Sequence, residues 1–246
     1  KVICYDENIS TIKLLKKKVS PIFEKNLEKN IKLNFSNLIF TNNISELKDC
    51  DNVYISEDVS TKISGESDLI TTKKLIDKTI KHLNKNSNLI ILCQVPPGFC
   101  RSINWNKDQL FYQVETLIFG QAFERALFPE RLIIGTENKK NEIKQSYLKL
   151  LKSFNCPLII MNYESAELAK ISINMYLIST VTTTNVISEV CEKIDANWND
   201  ISIALKLDRR IGKYAYLEPG LGISGGNLER DLYTLQRLQE TNHLNN

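Results

Sequence analysis

The chain predicts an α/β fold, a partial Rossmann-like parallel sheet followed by an all-α central domain, and three observations carry that prediction. Short apolar runs at 88–93 (NLIILC), 131–135 (RLIIG) and 157–161 (PLIIM) have the length and continuity of buried strands. Segments of helical pattern separate such runs, and strands alternating with helices imply right-handed parallel crossovers. From Ser165 to about Lys206 apolar residues recur at helical spacing without proline, which predicts a helical second domain.

Taken in order, 2–5 (VICY) reads as a strand ended by Asp6, and 8–18 as an amphipathic helix. Short strands are expected at 38–40 and 52–55, then a Lys-rich helical segment over 68–86. After the strand at 88–93, ValProProGly at 95–98 breaks the backbone. A helix over 140–154 joins the two later strands. The long first helix of the second part is expected over 165–194. The domain boundary is placed near Tyr163, giving 1–163 and 164–246.

Composition narrows the class. A chain of 246 residues, 42% hydrophobic and 25% charged, is ordinary for a globular protein. Net charge of +3 gives no reason to expect nucleic-acid or membrane binding. The lysines between 13 and 18 read as a solvated helix face. Six scattered cysteines, without CxxC or a nearby histidine, point to reduced thiols in the cytoplasm and to no metal site. No apolar run reaches the length of a membrane span.

The run 219–231, PGLGISGGNLERD, is the most informative stretch. Gly220, Gly222, Gly225 and Gly226 let main-chain N–H groups close around a ligand. The polar Asn227, the cation Arg230 and the carboxylate Asp231 come next. On its own the run reads equally well as a surface turn. Upstream, Lys170 and Asn174 stand four apart, so on a helix they share a face. An ammonium and an amide there can orient water and stabilise negative charge on a substrate oxygen.

Together these stretches resemble the nucleotide-sugar dehydrogenases, the UDP-glucose and GDP-mannose 6-dehydrogenase family. The resemblance is collinear over nearly the whole chain. ValIleCysTyrAsp is similar to the second strand of that family's NAD domain, and ValProProGly to its ValPro-x-Gly turn. Residues 115–122 (ETLIFGQA) and 129–135 (PERLIIG) are similar to its Glu-Phe-Leu segment and the strand after it. AlaGluLeuAlaLys with Asn174, then AspArgArgIleGly at 208–212 and the glycine loop, come in the family's order. The Lys-x-x-x-Asn spacing also resembles the hydroxyisobutyrate and 6-phosphogluconate dehydrogenases, and so marks a superfamily.

The resemblance implies roles residue by residue. Lys170, Asn174, Asp231 and Glu115 match catalytic positions of the family. Asp6, otherwise a turn aspartate, matches the carboxylate that accepts the ribose hydroxyls of NAD. Arg230 stands where the family has a lysine near the cofactor. Arg210, with Gly222 and Gly225 of the loop, matches substrate-binding positions, and the arginine reaches substrate across a dimer interface. The implied cofactor is NAD, the implied substrate a nucleotide sugar, and the implied assembly a homodimer through the helical domain.

Departures matter equally. The family oxidises an alcohol to a carboxylate in two hydride transfers, holding the aldehyde on a cysteine thiolate between them. Aligning the loop through Gly225 and Asp231 puts Asn227 at that cysteine, and an amide is no comparable nucleophile. Phe119 replaces a second glutamate, Gln94 a threonine, and Val59 with Ser60 a Thr-Pro pair. The family's first strand with its Gly-x-Gly-x-x-Gly turn would precede Lys1, and its C-terminal domain would come after Asn246. We expect a fragment or remnant of a longer protein on that ground. Two functions are weighed: an NAD-dependent nucleotide-sugar dehydrogenase, and a non-catalytic paralogue serving as a binding or dimerising module.

Overall fold

The computed structural model describes residues 1–118, 120–140, 142–220, 222 and 226–241. The chain divides into two compact units, Lys1–Val59 with Leu69–Leu168, and Ser60–Asp68 with Ala169–Asn246. Its strands are β1 (Val2–Tyr5), β2 (Leu38–Thr41), β3 (Asn52–Ile55), β4 (Ser60–Thr61), β5 (Ser67–Asp68), β6 (Asn88–Ile91), β7 (Leu110–Gln113), β8 (Leu132–Thr136) and β9 (Leu158–Asn162). Its helices are α1 (Ile9–Lys16), α2 (Leu27–Leu33), α3 (Ile70–Ile80), α4 (Phe99–Ser102), α5 (Ala122–Leu127), α6 (Gln145–Lys152), α7 (Tyr163–Ile194), α8 (Trp198–Leu207) and α9 (Gly226–Thr241).

The first unit is the expected sheet with helices. Five strands run in the order β3-β6-β7-β8-β9, and β1 pairs with β2 in a separate parallel ribbon. All four residues of β6 are buried, Leu89–Ile91 as their apolar run requires and Asn88 with its amide donating to Asn52 Oδ1 and Ser146 Oγ. It pairs in parallel with β3, Val53 opposite Leu89, and with β7, Leu89 opposite Leu110. Among the described residues no ladder joins β1 to β3. Side chains bridge them instead, with Ile3 and Tyr5 packed against the cluster of Ile44, Leu47 and Val53.

Two features depart from the sequence reading. The strand β7 is not among the expected elements, and it runs antiparallel to β8, with Tyr112 opposite Gly135. The helix in the connection between them is α5, of 6 residues, too short to carry the chain back across a sheet face. The chain therefore re-enters the sheet from the end at which it left. Elsewhere the ladders of this sheet are parallel, β8 with β9 included.

The core on one face holds Ile90, Phe111, Leu132 and Ile134 from the sheet, with Ile143, Tyr147 and Leu151 from the α6 region. Tyr147 and Leu151 are one helical turn apart, which is the spacing that puts both on a single face. The Tyr147 hydroxyl donates to Gln113 Oε1 at 2.8 Å, so its polar end is satisfied inside the core. On α7, Tyr163 is fully buried and donates to the Leu110 carbonyl at 2.8 Å. Gly135 of β8 makes room for that helix. A Cβ built there would lie 2.9 Å from Ala166 Cβ, 3.1 Å from Tyr112 Cβ and 3.3 Å from Tyr163 Cα.

In the second unit, α7 continues to Ile194 and Asp195 then takes the left-handed conformation at φ 59°. That residue ends α7 where the first helix of the stretch 165–206 is expected to end, and α8 follows within the same stretch. Asn197 caps α8 by accepting from the Asn199 amide at 2.9 Å. Cys191, Trp198 and Leu217 form this unit's cluster, and the Trp198 indole donates to the Leu217 carbonyl at 3.1 Å. The hairpin β4–β5 belongs here too. Gly65 turns it at φ 88° and lies against the Tyr233 ring of α9.

Candidate functional site

Asn174 and Asp231 meet. The Asn174 amide donates to Asp231 Oδ2 at 2.6 Å, joining α7 to α9 across 57 residues of sequence. Asp231 is buried, at 1% exposure, and Asn174 is half-buried. Lys170 is half-buried one helical turn before Asn174 on α7, so the shared face predicted from the spacing is realised within that helix.

Arg230 precedes Asp231 on α9 and takes another direction. Its guanidinium donates to Asn227 Oδ1 at 2.8 Å and to Thr61 Oγ1 at 3.3 Å, and the residue is 1% exposed. Asn227 is itself exposed in the first turn of α9. Its carbonyl oxygen is thereby engaged as an acceptor for a buried cation. A buried guanidinium needs such oxygens, because removing the charge from water is otherwise costly.

The other expected positions have local contacts of their own. Asp6 ends β1, exposed, with Oδ1 accepting from the Asn8 amide at 2.7 Å. That turn bond occupies one carboxylate oxygen. An exposed carboxylate at the carboxyl end of a parallel strand fits the ribose hydroxyls of a dinucleotide. Glu115 is half-buried just after β7, and its Oε1 accepts the Leu117 amide in a local turn. Phe119 and Gly225 lie outside the described residues. Gly222 is exposed, with open space around it. Gly220 donates its amide to Asn185 Oδ1 on α7 at 2.9 Å, tethering the start of the glycine run. Arg210 comes after α8 with its side chain 89% exposed, and its described bonds all go to Asp208, at 2.7 and 3.1 Å.

Sequence reasoning passes over two polar groups. Thr61 is one, since nothing in a two-residue strand announces a partner for Arg230. Glu167 is the other. It is fully buried, accepting from the Gly98 amide at 2.6 Å and the Cys100 amide at 2.8 Å. Burial pushes its carboxyl up, against the pull of those same hydrogen bonds. Three residues earlier Glu164 pairs with the Arg101 guanidinium, which holds its carboxyl below the ordinary range.

Residues 1–155 match the model of the UDP-glucose/GDP-mannose dehydrogenase family's NAD binding domain, and 164–246 match that family's central domain. The chain belongs to this family. NAD is the cofactor of the domain matched by its first part. UDP-glucose 6-dehydrogenase of Rickettsia bellii (strain RML369-C) is 34% identical over 254 residues, covering 99% of this chain and 58% of that protein. UDP-glucose 6-dehydrogenase TuaD of Bacillus subtilis (strain 168) is 31% identical, covering 98% of this chain and 54% of the relative. The chain thus spans less than two thirds of these relatives' length.

Among solved structures, a UDP-glucose dehydrogenase from Pyrobaculum islandicum superposes with a TM-score of 0.86 at 22% identity, covering 99% of this chain and 59% of that one. A ternary complex of GDP-mannose dehydrogenase from Pseudomonas aeruginosa gives 0.77 at 20% identity, covering 99% and 60%. These likenesses establish the family's fold, a Rossmann-like sheet unit and a helical central unit, for this chain. Among the described residues no helix is long and apolar enough to cross a membrane.

Proposed function

We propose that this chain carries the NAD-binding and central parts of a nucleotide-sugar dehydrogenase that oxidises the C6 alcohol of a UDP- or GDP-sugar. The bond between Asn174 and Asp231, with Lys170 one turn away, is the observation that carries the reading. A buried carboxylate held by a neutral amide can take a proton from water or from a substrate hydroxyl. An ammonium on the same helix face can stabilise the oxygen that is losing it. Asp6 would hold the ribose of NAD, and Arg230 would lend positive charge to the cofactor side. Bound NAD would supply the hydride acceptor. Glu115, Arg210, Gly222 and Gly225 complete the proposed set, the last three toward substrate.

Asn227 restricts the oxidation to its first stage. Its amide is not a nucleophile, and its oxygen already accepts from Arg230, so no covalent hold on an aldehyde is available at that position. The chemistry then stops after one two-electron oxidation. With UDP-glucose or GDP-mannose, the expected yield is about one NADH per sugar consumed, measured by its ultraviolet absorbance, and Asn227→Cys is expected to raise it toward two. A wild-type yield of two would show that Asn227 is no obstacle, and no NADH with either sugar would remove the reading.

The second reading, a binding or dimerising module without catalysis, would use a surface that the first reading also needs. Tyr176, Val190 and Ile194 of α7, with Ile203 and Leu207 of α8, are large apolar side chains left exposed. A groove of about 390 Å³ lies beside them, lined by Tyr176, Thr180, Thr183, Trp198 and Leu217 among others. Such a surface suits burial against a second copy. Both readings therefore include a homodimer, and sedimentation showing only a 28.2 kDa monomer at micromolar concentration would contradict that part.

A further inference from the structure

We propose that Glu167 is a positioning residue, whose carboxylate fixes the register of α7 against the turn that ends β6. The turn after β6 contains Pro96, Pro97 and Gly98, and Gly98 adopts φ 91°, a left-handed conformation that suits glycine. This leaves the Gly98 and Cys100 amides pointing at one carboxylate. Glu167 Oε2 takes the first at 2.6 Å and Oε1 takes the second at 2.8 Å. The two oxygens therefore fix both the distance and the rotation of the helix about its axis.

The anchoring does not rest on one group. Glu164, three residues earlier and so on the same side of α7, pairs with Arg101 at the end of the same short α4. The missing side chain at Gly135 lets Ala166 and Tyr163 come down onto the sheet. Of these contacts only the Glu167 carboxylate is fully buried and bonded to the turn's own backbone. Lys170 is three positions further along the helix, and Asn174 lies a turn beyond it. A small rotation at Glu167 displaces both, and misplacing a reacting group by about 1 Å can cost on the order of 100-fold in rate. The catalytic consequence rests on the dehydrogenase reading, whereas the hold on the turn stands without it.

The test is Glu167→Gln in the full chain. The amide keeps the shape but offers one oxygen and one NH2, so an N–H donor of the turn meets another donor. Site-resolved amide exchange at Gly98 and Cys100 is expected to quicken about 10-fold or more while β6, β8 and β9 keep their wild-type protection. NADH formation is expected to show kcat lowered about 10-fold, with KM for NAD and sugar within about twofold. Unchanged exchange at the two amides overturns the proposal. So does faster exchange through all the strands, which marks a merely structural role, or loosened amides with kcat intact. A wild-type chain that reduces no NAD counts against the dehydrogenase reading, and the exchange data still decide whether the carboxylate holds the turn. Should the Gln variant not fold, wild-type nuclear magnetic resonance serves. The Gly98 and Cys100 amide shifts must then track the titration of the Glu167 carboxyl, and shifts that ignore it overturn the proposal.

Discussion

Lys170→Ala is expected to lower kcat for NADH formation by about 1,000-fold while the melting temperature stays close to wild type. Removing a charge that stabilises a developing oxyanion typically costs about 100- to 1,000-fold. Here the same side chain is proposed to help orient water with Asp231, so the upper end is expected. Lys170 is half-buried, and trimming it leaves the Asn174–Asp231 bond in place. Lys170→Arg is expected to recover little, because a planar guanidinium cannot take the position of a compact ammonium. Paired kinetics and melting curves on the three proteins check this. An Ala variant within about tenfold of wild type would place Lys170 outside the chemistry.

Gly135→Ala carries the largest expected effect on the fold. Three atoms stand within 3.3 Å of the Cβ it would add, and one of them is the Tyr163 Cα. Backbone cannot step aside as a flexible side-chain tip can. Overpacking costs about 1–3 kcal/mol, and the upper end is expected at this site. For a chain of this size about 3 kcal/mol corresponds to a fall in Tm of roughly 6–12 °C. Adding Ala166→Gly removes only the contact at 2.9 Å, leaving Tyr112 Cβ at 3.1 Å and Tyr163 Cα. The double variant should therefore regain less than half of the loss. Calorimetry of the two proteins decides, and a Gly135→Ala chain that melts with wild type would show that α7 does not sit that close to β8.

These two positions also show what the sequence can and cannot disclose. Strands β6 and β8 are legible because neighbours cover them, so their apolar runs are nearly unbroken. β9 gives the same signal and is found as a strand, but it is the sheet's edge and half-buried, with Ile159 exposed, rather than buried as its run implies. β7 is not legible, since Leu110–Gln113 ends on a polar residue and is held in place by β6 and β8 on either side. Tertiary pairing, rather than local preference, makes it a strand. The long helix is legible over most of its length. Its end is legible as well, since the first helix is expected over 165–194 and α7 ends at Ile194 with Asp195 in left-handed backbone just beyond.

The site divides in the same way. Lys170 and Asn174 are visible from spacing alone, since one helix fixes their relation. Asp231 enters through resemblance, and only the fold supplies its bond to Asn174. Glu167 stands in plain view inside AlaGluLeuAlaLys, but that segment by itself assigns it no role. Its role depends on two amides nearly seventy residues upstream, which no local window contains.

The central claim is that Asn174 and Asp231 act as one unit, and a double-mutant cycle tests it most directly. The quantities needed are kcat/KM for wild type, Asn174→Ala, Asp231→Ala and the double variant. If the two groups work through their shared bond, the double variant should lose about as much as the worse single one. Losses that simply multiply, or an Asp231→Ala chain as fast as wild type, would contradict the account.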